Sequence, residues 1–142
     1  MLQLDSPLWQ FAIQFYQKGK NAQLLLALQE REGLWINQWL ATLWAAKHGY
    51  ELPNKPDDML AQWHTHVVLP VRQLRQKMRD SKLYSQLLDL ELQKERVELA
   101  HWYRLASKQV SSANWQERLT EVWPNWQQWP ESKALMQAVD AN

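Results

Sequence analysis

The chain has 142 residues, with ten tryptophans, two phenylalanines, no cysteine and a formal net charge of +1. That length suits a single domain with a core large enough to need no covalent staples. The missing cysteine excludes disulfides, thiolate catalysis and cysteine-ligated metals, and the near-neutral charge argues against a general nucleic-acid binder.

Ser6-Pro7 opens a first helix, with Ser6 as the cap and Pro7 at the first helical position. Leu8, Phe11, Ala12 and Phe15 follow at helical spacing, and Gly19 stops it. A second helix runs from about Asn21 to Glu32 and ends at Gly33. The third, about Leu34 to His48, is apolar nearly all round, as a central helix is, and Gly49 terminates it. Tyr50 to Pro56 reads as a loop, with Pro53 and Pro56 as breakers. Asp57 or Asp58 caps a long fourth helix that reaches about Arg79 and is kinked at Pro70. After a turn near Asp80-Ser81, a fifth helix extends to about Ser107. Ser111, Ser112 and Asn114 form a polar break. A short helix from about Trp115 to Val122 follows, then Trp123-Pro124, Trp129-Pro130 and a last helix near Glu131 to Val139. No segment alternates as a half-buried strand does. The expected fold is all-α: a compact single-domain helical bundle over residues 1–142, with about five main helices (about 5–107) and a tryptophan-rich C-terminal wrap (112–142).

Positive charge is concentrated in one segment: residues 61–82 carry five basic side chains and one acidic. Arg72, Arg75, Arg79 and Lys82 recur at i, i+3, i+7 and i+10, one narrow arc of a continuous helix beside Val67, Val71, Leu74 and Met78. This stripe suits an anion or an acidic partner, or pairing with carboxylates of the next helix. On that next helix Glu91, Glu95 and Glu98 share the side of Leu87, Leu88 and Trp102, where charge is costly unless paired. A hairpin near residue 81 sets Arg72 level with Glu91, so an Arg–Glu ladder is the stronger reading. Glu95 and Glu98 lie beyond the easy reach of the arginines.

Glu98-Leu99-Ala100-His101 has the Glu-x-x-His spacing of di-metal bundles, but that chemistry needs two such motifs and further glutamates. His64-x-His66 places its imidazoles in different directions and reads as two partly exposed polar residues. Asn37 and Gln29, polar on mostly apolar helices, read as buried hydrogen-bonding links. Trp123, Trp126 and Trp129 recur every three residues, which aligns the indoles on a 3₁₀ or polyproline-type segment. Such a row packs onto the bundle or stands out as an aromatic ledge for a partner. No phosphate-cradling loop, nucleophile elbow or Cys–His pair is present in the sequence.

Ser6-Pro7-Leu8-Trp9, Phe11-Ala12, Tyr16, Leu28-Gln29, Gly33, Asn37 and Trp44 resemble the pattern of a proteobacterial family of small helical proteins known only as a domain of unknown function. Val71-Arg72-Gln73-Leu74-Arg75 is similar to its second half, and the resemblance spans about residues 5 to 105. The chain departs from the pattern where a cysteine is expected in the second helix and where Gln38-Trp39 replaces aliphatic residues. The resemblance implies a bacterial, cytoplasmic protein and nothing about chemistry.

The expectation is a non-enzymatic helical adaptor or regulator that binds another protein, using Arg72, Arg75, Arg79, Lys82, Trp123, Trp126 and Trp129. One alternative is a metal- or small-ligand-dependent enzyme centred on Glu91, Glu95, Glu98 and His101; another is an RNA-associated protein using the arginine stripe. The balance falls against an enzyme and against a nucleic-acid partner, and no cofactor is expected. A homodimer is the other arrangement the sequence allows. With no signal-peptide pattern and no bilayer-length apolar run, cytoplasm is the expected compartment and a membrane partner is not.

Overall fold

A computed structural model describes residues 2–108 and 114–141. The Ser111-Ser112 part of the expected polar break lies outside the described residues. Helix α1 (Pro7–Gln17) starts where the Ser6 hydroxyl accepts the Trp9 amide at 3.0 Å, and Asn21 donates its side-chain amide to the Phe15 carbonyl at the other end. Helix α2 (Asn21–Glu32) stops at Gly33, whose φ of 69° is left-handed and suits a residue without Cβ. Helix α3 (Ile36–His48) is buried from Ile36 to Ala46 and forms the centre of the fold.

After Gly49, strand β1 (Tyr50–Glu51) pairs antiparallel with β2 (Ser107–Lys108). The segment expected as pure loop thus carries a two-residue ladder, too short to leave an alternation in the sequence. The long fourth helix divides into α4 (Asp58–Trp63), a π-helical stretch (His64–Val68) and α5 (Leu69–Lys77). Asp57 caps it by accepting the Leu60 amide at 3.0 Å. The distortion expected of Pro70 is taken up in the wider turns just before it, where the Leu69 amide reaches back to the His64 carbonyl. α5 ends at Lys77, two residues short of the expected Arg79.

Helix α6 (Tyr84–Leu105) returns antiparallel to α4 and α5, and its C-terminal half enters the core with Leu99, Ala100 and Trp102. The C-terminal segment contains α7 (Trp115–Val122), a 3₁₀ turn (Trp126–Gln128) and α8 (Ser132–Asp140). It closes over α2 and α3, tied by Arg31 to Glu131 at 2.7 Å and by Lys47 to the Val139 carbonyl at 2.9 Å. One apolar cluster runs from Leu8 through Trp39, Trp44 and Trp102 to Trp126 and Val139. The fold is all-α and compact. Among the described residues no helix is long and apolar enough to cross a membrane.

Candidate functional site

The hairpin of α5 and α6 is held by charge. Arg72 donates from Nε to Glu91 at 2.9 Å and from its terminal nitrogen to Glu95 at 3.1 Å. Arg75 also donates to Glu91, reaches the Tyr84 hydroxyl at 3.2 Å and lies over the Tyr84 ring. The expected ladder is present, and it extends one rung further than expected. Glu95 is within reach of Arg72 because it follows Glu91 by one helical turn and the guanidinium spans both. The four-residue basic stripe is not continuous. α5 ends before Arg79 and Lys82, which stand exposed at the hairpin turn, while Arg72 and Arg75 are spent on carboxylates.

Burial opposes ionisation of both glutamates, yet their environments separate them. At Glu91, hydrogen bonds from Arg75 and Arg72 outweigh burial and hold the carboxyl below its usual range. At Glu95, burial and the neighbouring Glu91 outweigh Arg72 and push the carboxyl up to about 7. Tyr16 of α1 faces the same cluster, and its phenol is raised by burial and by Glu95 and Glu91.

One turn further along α6, Glu98 is 0% exposed. It accepts from the Trp35 indole at 2.6 Å, the Asn37 amide at 2.9 Å and His64 Nδ1 at 2.8 Å. The His64 ring stacks on Trp35 with centroids 3.9 Å apart. Glu98, beyond the reach of the arginines as expected, is engaged by these three groups instead, and His64, partly exposed as expected at 17%, is one of them. His66 is exposed, as expected. Asn37 is the hydrogen-bonding link anticipated, and its partner is a carboxylate. His101 does not join Glu98: its Nδ1 meets the Arg104 guanidinium at 3.1 Å, and Arg104 pairs with Asp57. Burial and Arg104 lower its basicity. Among the described residues, no group of three or more His, Cys, Asp or Glu is arranged to hold a metal ion.

Trp126 turns inward, 3% exposed, and its indole donates to Thr120 Oγ1 at 2.8 Å. Trp123 and Trp129 are half-buried against the core. The 3₁₀ turn covers only residues 126–128, so the three indoles do not form the row a longer 3₁₀ segment requires. Of the two readings, the tail packs onto the bundle rather than standing out as a ledge.

Most exposed side chains of the hairpin are polar, but Leu74, Leu83 and Leu92 are exposed among them. From Leu69 to Val97 the sole buried residue is Glu91, and α5 buries none of its side chains. Along α4 to α5, Met59, Trp63, Val67, Val71, Leu74 and Met78 recur every three or four residues and share one side of the helix. Along α6, Leu83, Leu87, Leu90, Lys94, Val97 and His101 do the same at alternating steps of four and three. Both stripes border one groove. At its wide end Met59, Trp63, Val67 and His101 line an open cleft of about 460 Å³, and the Trp63 indole crosses to the Lys94 carbonyl at 2.8 Å. Toward the tip Leu74 and Leu83 are 47% and 49% exposed, and Met59 at the cleft is 64% exposed. This face was not singled out from the sequence, although the stripe from Val67 to Met78 was visible there.

Residues 7–102 match the family model described as a protein of unknown function, DUF2390. The chain belongs to this family. The DUF2390 match contains the Arg–Glu ladder, the Glu98 knot and the whole apolar groove, and it ends before α7 and α8. No curated protein and no solved structure matches the chain.

Proposed function

We propose that this DUF2390 protein is a non-enzymatic helical interaction module that binds another protein through the groove of the α4–α6 hairpin. One observation carries the reading: a two-helix face some twenty residues long has Met59, Leu74 and Leu83 exposed and its other apolar side chains only partly covered, while the one buried residue from Leu69 to Val97 is a carboxylate. A row of partly covered apolar side chains with exposed ends suits an interaction site. The ladder of Arg72, Arg75, Glu91 and Glu95 keeps the two helices in register without an apolar core of their own. It is scaffold, and the groove is the working surface.

This reading relocates the docking surface from the sequence-derived candidates. Arg79 and Lys82 remain at its edge; Trp126 leaves it. The RNA reading is weakened, because two of its four cations are already paired. The enzyme reading is weakened, because Glu91, Glu95 and Glu98 are each engaged in internal bonds. A bacterial cytoplasm remains the proposed setting, in keeping with a cysteine-free chain.

The test is site-specific photo-crosslinking in living cells, with the reactive side chain at Leu83 and, as control, at the exposed Gln14 of α1. The expected result is a discrete protein adduct from position 83 only. Equal or absent adducts at both positions contradict the reading.

A further inference from the structure

We infer that the groove takes an amphipathic helix with an acidic polar face, its carboxylates lying toward the hairpin tip. The inference rests on the groove being a docking surface and goes on to say what docks. The two bordering stripes present apolar side chains at helical intervals over about 30 Å, the length of a helix of roughly twenty residues. A helix laid between them meets the same three-and-four spacing that it presents itself, which is the helix-in-groove mode of recognition.

Charge selects among helices. Lys94 stands within the α6 stripe, and Lys77, Arg79 and Lys82 cluster at the tip beside Leu74 and Leu83. None of these four makes an ion pair among the described residues. Against them the tip carries Asp80, and Asp58 lies at the opposite end, in the cleft. An incoming glutamate near the tip finds three cations, whereas a lysine there meets repulsion. The same arrangement disfavours a second copy. An antiparallel two-fold through the middle of the groove sets Lys94 beside its own mate, and a parallel one stacks the basic tips. A lipid surface matches the basic tip but not a concave groove that continues to the cleft at Met59.

The probe is a fluorescein-labelled helical peptide of about 18 residues, with leucines at i, i+3, i+4 and i+7 repeats and glutamate elsewhere. Its twin has lysine for glutamate. Binding is read by anisotropy, beside light scattering of the protein alone and sedimentation with phosphatidylserine vesicles. The glutamate peptide is expected to bind and the lysine twin not. Arg79→Glu/Lys82→Glu weakens binding about tenfold or more, and Leu74→Asp/Leu83→Asp abolishes it with an unchanged melting curve. Equal binding of both peptides overturns the inference and leaves the docking face standing. So does a dimer, or vesicle binding, that Leu74→Asp/Leu83→Asp removes while neither peptide binds. No binding of any kind overturns both.

Discussion

His64 Nδ1 lies 2.8 Å from Glu98 Oε2, and the carboxylate it meets has no contact with solvent. Two further donors, the Trp35 indole and the Asn37 amide, come from the start of the central helix. A single carboxylate thus joins the π-helical stretch, α3 and α6. Removing it leaves one buried and two partly buried donors without their acceptor. Glu98→Ala is expected to cost about 3–5 kcal/mol, and Glu98→Gln roughly half as much because one acceptor remains. Urea denaturation of the three proteins checks this order.

The Arg72 guanidinium bridges Glu91 and Glu95. Arg72→Met leaves Glu95 without a cation and Glu91 with Arg75 alone, and is expected to destabilise by about 2–4 kcal/mol. Adding Glu95→Gln to that variant removes the carboxyl left without a cation, so the double variant is more stable than Arg72→Met alone. A double-mutant cycle in denaturant measures this coupling.

Glu95 makes stability fall with alkali. Its carboxyl, raised to about 7 by burial and by Glu91, holds a proton in the folded protein that the unfolded chain releases at lower pH. Its contribution is complete below the ordinary carboxylate range and is lost as pH rises through about 7. Glu91, lowered by its hydrogen bonds to Arg75 and Arg72, contributes oppositely, and that part is lost as pH falls below the ordinary carboxylate range. His101, whose basicity is lowered by burial, loses its contribution as pH falls below the ordinary histidine value. Comparison with Glu95→Gln isolates the first effect. Between about pH 5 and 8 the variant is expected to gain roughly 2 kcal/mol on the wild type. Denaturation midpoints across that range read the difference directly.

Trp126 and its neighbours separate by burial. Trp126→Ala empties a buried indole site and is expected to cost about 3–5 kcal/mol. Trp123→Ala and Trp129→Ala, at half-buried positions, cost about 1–2 kcal/mol each. Three similar losses in thermal unfolding contradict a tail packed through Trp126.

Much of the fold was written in local signals. Ser6, Asp57, Gly33 and Gly49 mark helix ends by chemistry that acts within one turn, and α2 runs from Asn21 to Glu32 as read. The end of α5 carried no such mark: neither glycine nor proline follows Lys77, and the helix stops on Met78 where the chain turns back. The π-helical stretch was legible only as a disturbance near Pro70, not as the extra residue per turn. The Arg–Glu ladder was foreseeable because a hairpin sets the register of both stripes. The Glu98 knot was not, since Trp35, Asn37 and His64 converge from elements far apart in sequence. The groove escaped notice for a related reason. Helical spacing marked Val71, Leu74 and Met78 as a core arc, and spacing does not tell whether anything covers it.

The groove as docking surface is the central claim. Affinity capture from cells of the source organism, comparing wild type with Leu74→Asp/Leu83→Asp, tests it most directly. Both positions are about half exposed, so melting of the variant is expected to stay within roughly 1 kcal/mol of wild type. The account predicts a protein captured by the wild type and missing with the variant. The same set of proteins captured by both, at equal yield and stability, contradicts it.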